Sequence, residues 1–210
     1  MDLLDKTKKI LNLQDKDIKA LYLYGSRVYG TDSYNSDYDL LLVTDTLKSN
    51  TEYRNGLFNI TTLSSQDFFN QLDEMKIKIL ECIFSPEKFK IKENIKYNFL
   101  LNREKLRTEI SQKSSNSFVK AKKKIILEEE DSYKGIKSLF HSLRIIDFGN
   151  QIALYEKIND YSSSNWIWNE LLNLENEINW NQLKEKWQPI KNQLLSEFRE
   201  NNGYLKEMKR

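Results

Sequence analysis

Asp37 and Asp39, separated by a single tyrosine, are the residues of this 210-residue chain whose types and spacing most directly describe chemistry. They stand at the start of the apolar run Asp39-Leu40-Leu41-Leu42-Val43, so on a strand both side chains leave the same face, roughly 6 to 7 Å apart along the backbone. Two acids so placed repel each other, and a hard divalent cation such as Mg²⁺ is the usual way to stabilise the arrangement. Upstream, Gly25-Ser26 ends a second apolar run, where a glycine lets a phosphate approach the backbone and the next turn offers N–H groups. An anion site beside a metal site suits phosphoryl or nucleotidyl transfer, in which a metal-bound triphosphate is held by backbone donors. A Walker loop is disfavoured, because four residues separate Gly25 from Gly30 and the next residues are Thr31 and Asp32, not lysine. Taken singly, Asp-x-Asp is common in solvated turns and Gly-Ser in tight ones. Their order carries the signal: strand, Gly-Ser, glycine, Ser-Asp-x-Asp, strand.

The elements that must position these residues follow from periodicity. Leu3, Leu4, Ile10 and Leu11 recur at helical spacing and predict a helix ending near Leu13. Residues 20–24, 39–43 and 56–63 read as short strands, the last bounded by Asn55-Gly56 and Ser64-Ser65. From Ser65 the stripe Phe68, Phe69, Leu72, Met75, Ile79 and Leu80 is helical, and no strand is expected after it. Helices are expected near 98–110, 117–130, 133–157, 165–178 and 181–200, with residues 111–117 and 160–164 as connections. The expected fold class is α+β: a head over residues 1–97 with a mixed sheet and flanking helices, and an all-helical C-terminal domain over 98–210.

The stretch Gly25-Ser26-Arg27, Gly30 and Ser36-Asp37-Tyr38-Asp39 resembles the signature of the DNA polymerase β-like nucleotidyltransferase superfamily. Within it the chain is similar to the predicted nucleotidyltransferases often associated with RNA ligases. The segment from Asn59 to Phe84 resembles that family's third strand and following helix, and Lys137 to Arg144 a segment of its helical tail. The likeness covers about residues 20–155, and residues 160–210 add nothing to it. It implies a Mg²⁺- or Mn²⁺-dependent transfer of a nucleoside monophosphate from a triphosphate to an acceptor such as RNA or tRNA, with pyrophosphate leaving. Asp37 and Asp39 would hold the metal, Gly25 and Ser26 would contact the triphosphate, and Arg27 would neutralise its charge or pair with a surface acid. From the tail, Lys137 and Arg144 would close over the triphosphate.

One position departs from the pattern. The superfamily's usual third carboxylate aligns with Asn59, 22 residues before Glu81, and an asparagine brings no negative charge and accepts no proton. Three readings stay open: weakened catalysis by two aspartates, a nucleotide-binding module without turnover, or a replacement of Asp by Asn that traps substrate. Glu52 and Asp67 are the nearby acids, one before the strand and one at the start of the next helix, so both are poor geometric substitutes. An acceptor on a protein or a small molecule is the enzymatic alternative to RNA.

Lys137, His141 and Arg144 share a helix face, on which a lone histidine reads more simply as a packing residue. Residues 103–124 hold eight Lys and Arg, a candidate contact for a nucleic-acid backbone, although Glu128-Glu129-Glu130-Asp131 follows and a solvated face is the plainer reading. Trp166, Trp168, Trp180 and Trp187 could stack bases, but in helical context they read as core or interface residues. A net charge of +2 excludes a histone-like binder, and the absence of a long apolar stretch argues against a membrane role. The single Cys82 and a start lacking a signal-peptide core predict a reducing, cytoplasmic setting. No residue pattern specifies an oligomeric state.

Overall fold

The computed structural model describes residues 2–127, 132–174 and 178–203, and the chain divides into two compact units, Met1–Leu100 and Leu101–Arg210. The N-terminal unit is an α+β fold built on one five-stranded sheet, ordered β3-β4-β2-β1-β5. Its strands are β1 (Ala20–Tyr24), β2 (Tyr38–Val43), β3 (Thr51–Asn55), β4 (Phe58–Leu63) and β5 (Lys90–Glu93). The apolar runs of β1 and β2 lie at its centre, with Leu21, Tyr22 and Leu40 to Val43 fully buried. β2 and β4 are parallel, and the other pairs are antiparallel.

Helix α1 (Leu3–Leu11) starts at Asp2, whose carboxylate accepts the amides of Leu4 and Asp5. It lies on the sheet face that carries the stacked rings of Tyr38 and Phe58, with the Lys6 ammonium over Phe58. The opposite face is covered by α3 (Ser65–Asp73) and α4 (Ile77–Ile83), where Phe68 stacks on Tyr22. The sequence stripe from Phe68 to Leu80 is therefore two helices rather than one. Met75, buried with φ +54°, ends the first by turning the chain left-handed.

Two strands contradict the expectation that only three exist. β3 is a polar edge strand joined to β4 through Gly56-Leu57, and β5 pairs with β1 although it reads Lys-Ile-Lys-Glu. Glu93 on β5 accepts the hydroxyls of Tyr22 at 2.8 Å and Tyr97 at 2.9 Å, so a charged strand is anchored beside the core.

The C-terminal unit comprises α5 (Arg103–Leu127), α6 (Ser132–Tyr155), α7 (Asn165–Leu172) and α8 (Trp180–Asn201). The connection expected at 111–117 is instead the middle of α5. Its Ser114 is fully buried against Ser142 of α6, whose hydroxyl donates to the Ser114 carbonyl at 2.8 Å. Small residues there mark a close helix–helix approach. At Gly149 of α6, a Cβ would lie 2.8 Å from an Ile110 carbon. Trp168, Trp180 and Trp187 are core, whereas Trp166 is half-exposed. Arg103 donates to the carbonyls of Ala153 and Asn201, near the C-terminal ends of α6 and α8. The acidic run 128–131, the expected helix end at 130 and residues 175–177 of the expected helix 165–178 lie outside the described residues.

Cys82 on α4 has no solvent exposure, and burial, reinforced by neighbouring Glu81, pushes its thiol well up from the usual range. The native protein is expected to resist a maleimide at pH 8 and to react once unfolded in guanidinium. Rapid labelling of the native state would contradict this packing.

Candidate active site

A single cross-sheet row organises the site. Register places Tyr24 of β1 opposite Asp39 of β2, Asp39 beside Asn59 of β4, and Asn59 opposite Arg54 of β3. Paired residues project to one face, so Asp39 and Asn59 meet there, and the Asn59 Nδ2 donates to Asp39 Oδ1 at 2.9 Å. With its amide turned this way, the Asn59 carbonyl oxygen is buried without a hydrogen-bond partner.

Gly25 closes the other side of Asp39. Its φ of +83° and ψ of −159° are accessible essentially to glycine alone, and a Cβ there would sit 2.5 Å from Asp39 Oδ2. The four-residue helix α2 (Ser26–Tyr29) follows at once, with Val28 and Tyr29 donating back to the Gly25 carbonyl and Gly30, φ +74°, ending it. Tyr29 anchors α2 by donating its hydroxyl to Glu81 of α4, both buried. The Gly-Ser element is thus a rigid strand-to-helix turn.

Asp37 is exposed and immediately precedes β2, while Asp39 is half-buried within it. The segment carrying Asp37 is held by Arg27. Its guanidinium donates to the carbonyls of Ser36 at 2.5 Å and Asp37 at 3.2 Å, pairs with Asp32 at 3.2 Å, and lies 4.0 Å from the Tyr38 ring centroid. The pairing of Arg27 with a surface acid, one of its two readings from the sequence, is made with Asp32. The sequence points to neither Lys78 nor Thr61, which join this face without any motif: Lys78 Nζ donates to Thr61 Oγ1 at 2.8 Å and sits 4.8 Å from the Tyr24 ring centroid. Glu52 is exposed on β3, and Asp67 on α3 accepts the Ser49 hydroxyl.

Two carboxylates, with Gly25 leaving room for that of Asp39, match the needs of one hard cation, which takes few protein oxygens and fills its remaining positions with water and phosphate oxygens. Among the described residues no group of three or more His, Cys, Asp and Glu is placed to hold a metal ion.

The other expected site residues, Lys137 and Arg144, lie on α6 of the C-terminal unit. Arg144 is buried, hydrogen-bonds His141 Nδ1 at 2.9 Å and packs over Phe148. Lys113, Lys120, Lys122 and Lys123 of α5 are exposed.

Residues 5–96 match the profile of the family described as Polymerase beta, Nucleotidyltransferase. That match covers the whole sheet and supports placing the N-terminal unit in the polymerase β nucleotidyltransferase superfamily, a class whose members typically use divalent metals. No curated protein matches the chain. Among the described residues no helix is long and apolar enough to cross a membrane.

Gly25→Ala must adopt a disfavoured backbone conformation and displace the Asp39 carboxylate, whereas Gly56, φ +55°, has nothing within 4 Å of its missing Cβ. Gly25→Ala should therefore cost about 2 kcal/mol or more in chemical denaturation and Gly56→Ala only about 1. Equal losses would contradict the packing of Gly25 against Asp39. Burial first, then Arg144, Lys137 and Lys120, hold the His141 pKa well below its ordinary 6.5. A depressed histidine favours the folded state above its unfolded pKa, so stability should fall as pH drops through about 6.5, by at most ~1.4 kcal/mol per pH unit. His141→Asn should remove that component, and identical slopes in both proteins would overturn it.

Proposed function

We propose that the N-terminal unit transfers a nucleoside monophosphate from a nucleoside triphosphate to an acceptor hydroxyl, with RNA or tRNA as the favoured acceptor. The observation that carries this reading is the Asp39 carboxylate clasped between Gly25 and Asn59, with Asp37 two residues before it, on a sheet that matches a nucleotidyltransferase family. In this reading Asp37 and Asp39 hold Mg²⁺ or Mn²⁺, which when bound supplies positive charge to the reacting phosphate. The triphosphate lies at the turn formed by Gly25 and Ser26, beside the Asp39 carboxylate that packs against Gly25. Arg27 fixes the segment bearing Asp37. The acceptor hydroxyl gives its proton to water as its oxygen attacks the α-phosphorus, the bond from that phosphorus to the α–β bridging oxygen breaks, and pyrophosphate leaves with its electron pair.

The exposed lysines of α5 are the part of the chain best suited to an RNA backbone, because clustered cations gain from releasing phosphate counterions. On α6, Lys137 and Arg144 are proposed nucleotide contacts, with Arg144 already ordered by His141 and Phe148. A cytoplasmic setting belongs to the same reading, supported by the single, buried thiol of Cys82.

One observation favours a second reading. Asn59 gives Asp39 a hydrogen bond where an acid would help bind metal, which suits a module that binds nucleotide with slow or no turnover. The experiment that separates the two is pyrophosphate release from ATP, GTP, CTP and UTP with Mg²⁺ or Mn²⁺ and total RNA. The chain should release pyrophosphate with at least one nucleotide, and Asp37→Ala should lower kcat/KM by roughly a hundredfold or more. Release only after Asn59→Asp would establish the binding module. Release that survives Asp37→Ala unchanged, or metal-dependent nucleotides that leave Tm unmoved, would contradict the site.

A further inference from the structure

Lys78 is a half-buried cation on the face that carries Asp39 and Asn59, and the reaction described above gives it no part. Its ammonium is fixed from two directions, by the Thr61 hydroxyl at 2.8 Å and by the Tyr24 ring, 4.8 Å from its centroid. Tyr24 stands directly opposite Asp39, and Thr61 follows Asn59 by one pleat repeat on the same face of β4, roughly 6.5 to 7 Å along the strand. The ammonium is thereby held about one residue pair from the Asp39–Asn59 contact. Burial favours its neutral form, while the carboxylates of Asp39, Glu52 and Glu81 pull the other way.

Asn59 completes the pattern. Its amide nitrogen, not its oxygen, faces Asp39, and its own oxygen is buried without a partner. Asp39 Oδ1 therefore receives a hydrogen-bond donor from the position where a third acid would offer a metal ligand. Around Asp39 stand Asp37 just before the strand, the neutral Asn59 amide donor and the Lys78 ammonium, while Arg54 at the end of the row pairs with Glu52 at 3.5 Å. A second divalent ion would meet Lys78, and among the described residues no third acid is grouped with Asp37 and Asp39 to hold that ion.

We propose that Lys78 supplies the positive charge that a second divalent ion would otherwise bring, so that the Asp37–Asp39 site takes a single divalent cation with its nucleotide. This rests on the nucleotidyltransferase reading above. Lys78 is here a positioning residue: it sets the charge of the site without touching the reacting atoms.

Bound Mn²⁺ counted by electron paramagnetic resonance on the full chain tests it, with the α,β-methylene triphosphates of the four bases as probes, each in turn. One Mn²⁺ per chain, lost in Asp37→Ala, is the expected result. Two bound Mn²⁺ would overturn the inference while leaving the nucleotidyltransferase reading intact. No bound Mn²⁺ with any probe would overturn both. Lys78→Met should tighten Mn²⁺ binding without nucleotide by roughly tenfold, because a repelling charge is gone. Lys78→Gln, which keeps a donor for Thr61, should do the same, and unchanged or weaker binding in a folded variant would remove Lys78 from the role.

Discussion

A half-buried carboxylate at the centre of a sheet needs partners on every side, and the N-terminal unit is arranged around supplying them to Asp39. β1 ends at Gly25, whose backbone only glycine adopts and whose missing Cβ leaves room for Asp39 Oδ2. The parallel pairing of β2 with β4 brings the Asn59 amide to Asp39 Oδ1. Tyr24 and the Thr61–Lys78 pair extend the same face. A one-residue slip of β2 would turn Asp39 to the opposite face, and the same slip of β1 or β4 would remove Tyr24 or Asn59 from beside it.

The turn after Gly25 and the segment before β2 are rigid for separate reasons. Tyr29 ties α2 to Glu81, so the Gly-Ser turn is fixed from the α4 side. Arg27 reaches the other way, binding the Ser36 and Asp37 carbonyls and the Asp32 carboxylate over the Tyr38 ring. Through one bond from each of its nitrogens Arg27 holds the backbone that carries Asp37. Two residues of one turn divide the labour: Gly25 leaves room for Asp39, and Arg27 orders the segment that carries Asp37.

The central strands were legible because full burial leaves an unbroken apolar run, as in Leu40 to Val43. The edge strands were not: Thr51–Asn55 and Lys90–Glu93 carry polar side chains because one side of each faces no neighbouring strand, and their pairing depends on partners distant in sequence. Serines read as a connection at 111–117 because such residues favour turns, yet at Ser114 a small side chain is what lets α5 and α6 approach. In the site, glycine and the two aspartates announced themselves by type and order. The turn of the Asn59 amide toward Asp39 did not, since it follows from a parallel register that no local pattern encodes. Lys78 was silent for the same reason: a lone lysine on a short helix reads as solvated until the sheet beneath it is known.

The most direct test of the Asp39-centred site is where a nucleotide with its metal lands on the folded chain. In ¹⁵N-labelled protein, a Mn²⁺–nucleoside triphosphate complex should broaden the backbone amides of Gly25, Ser26, Asp37 and Asp39 first, and those of β5 later. Broadening that spares Gly25 to Asp39 and centres elsewhere would contradict the assignment of this row as the site.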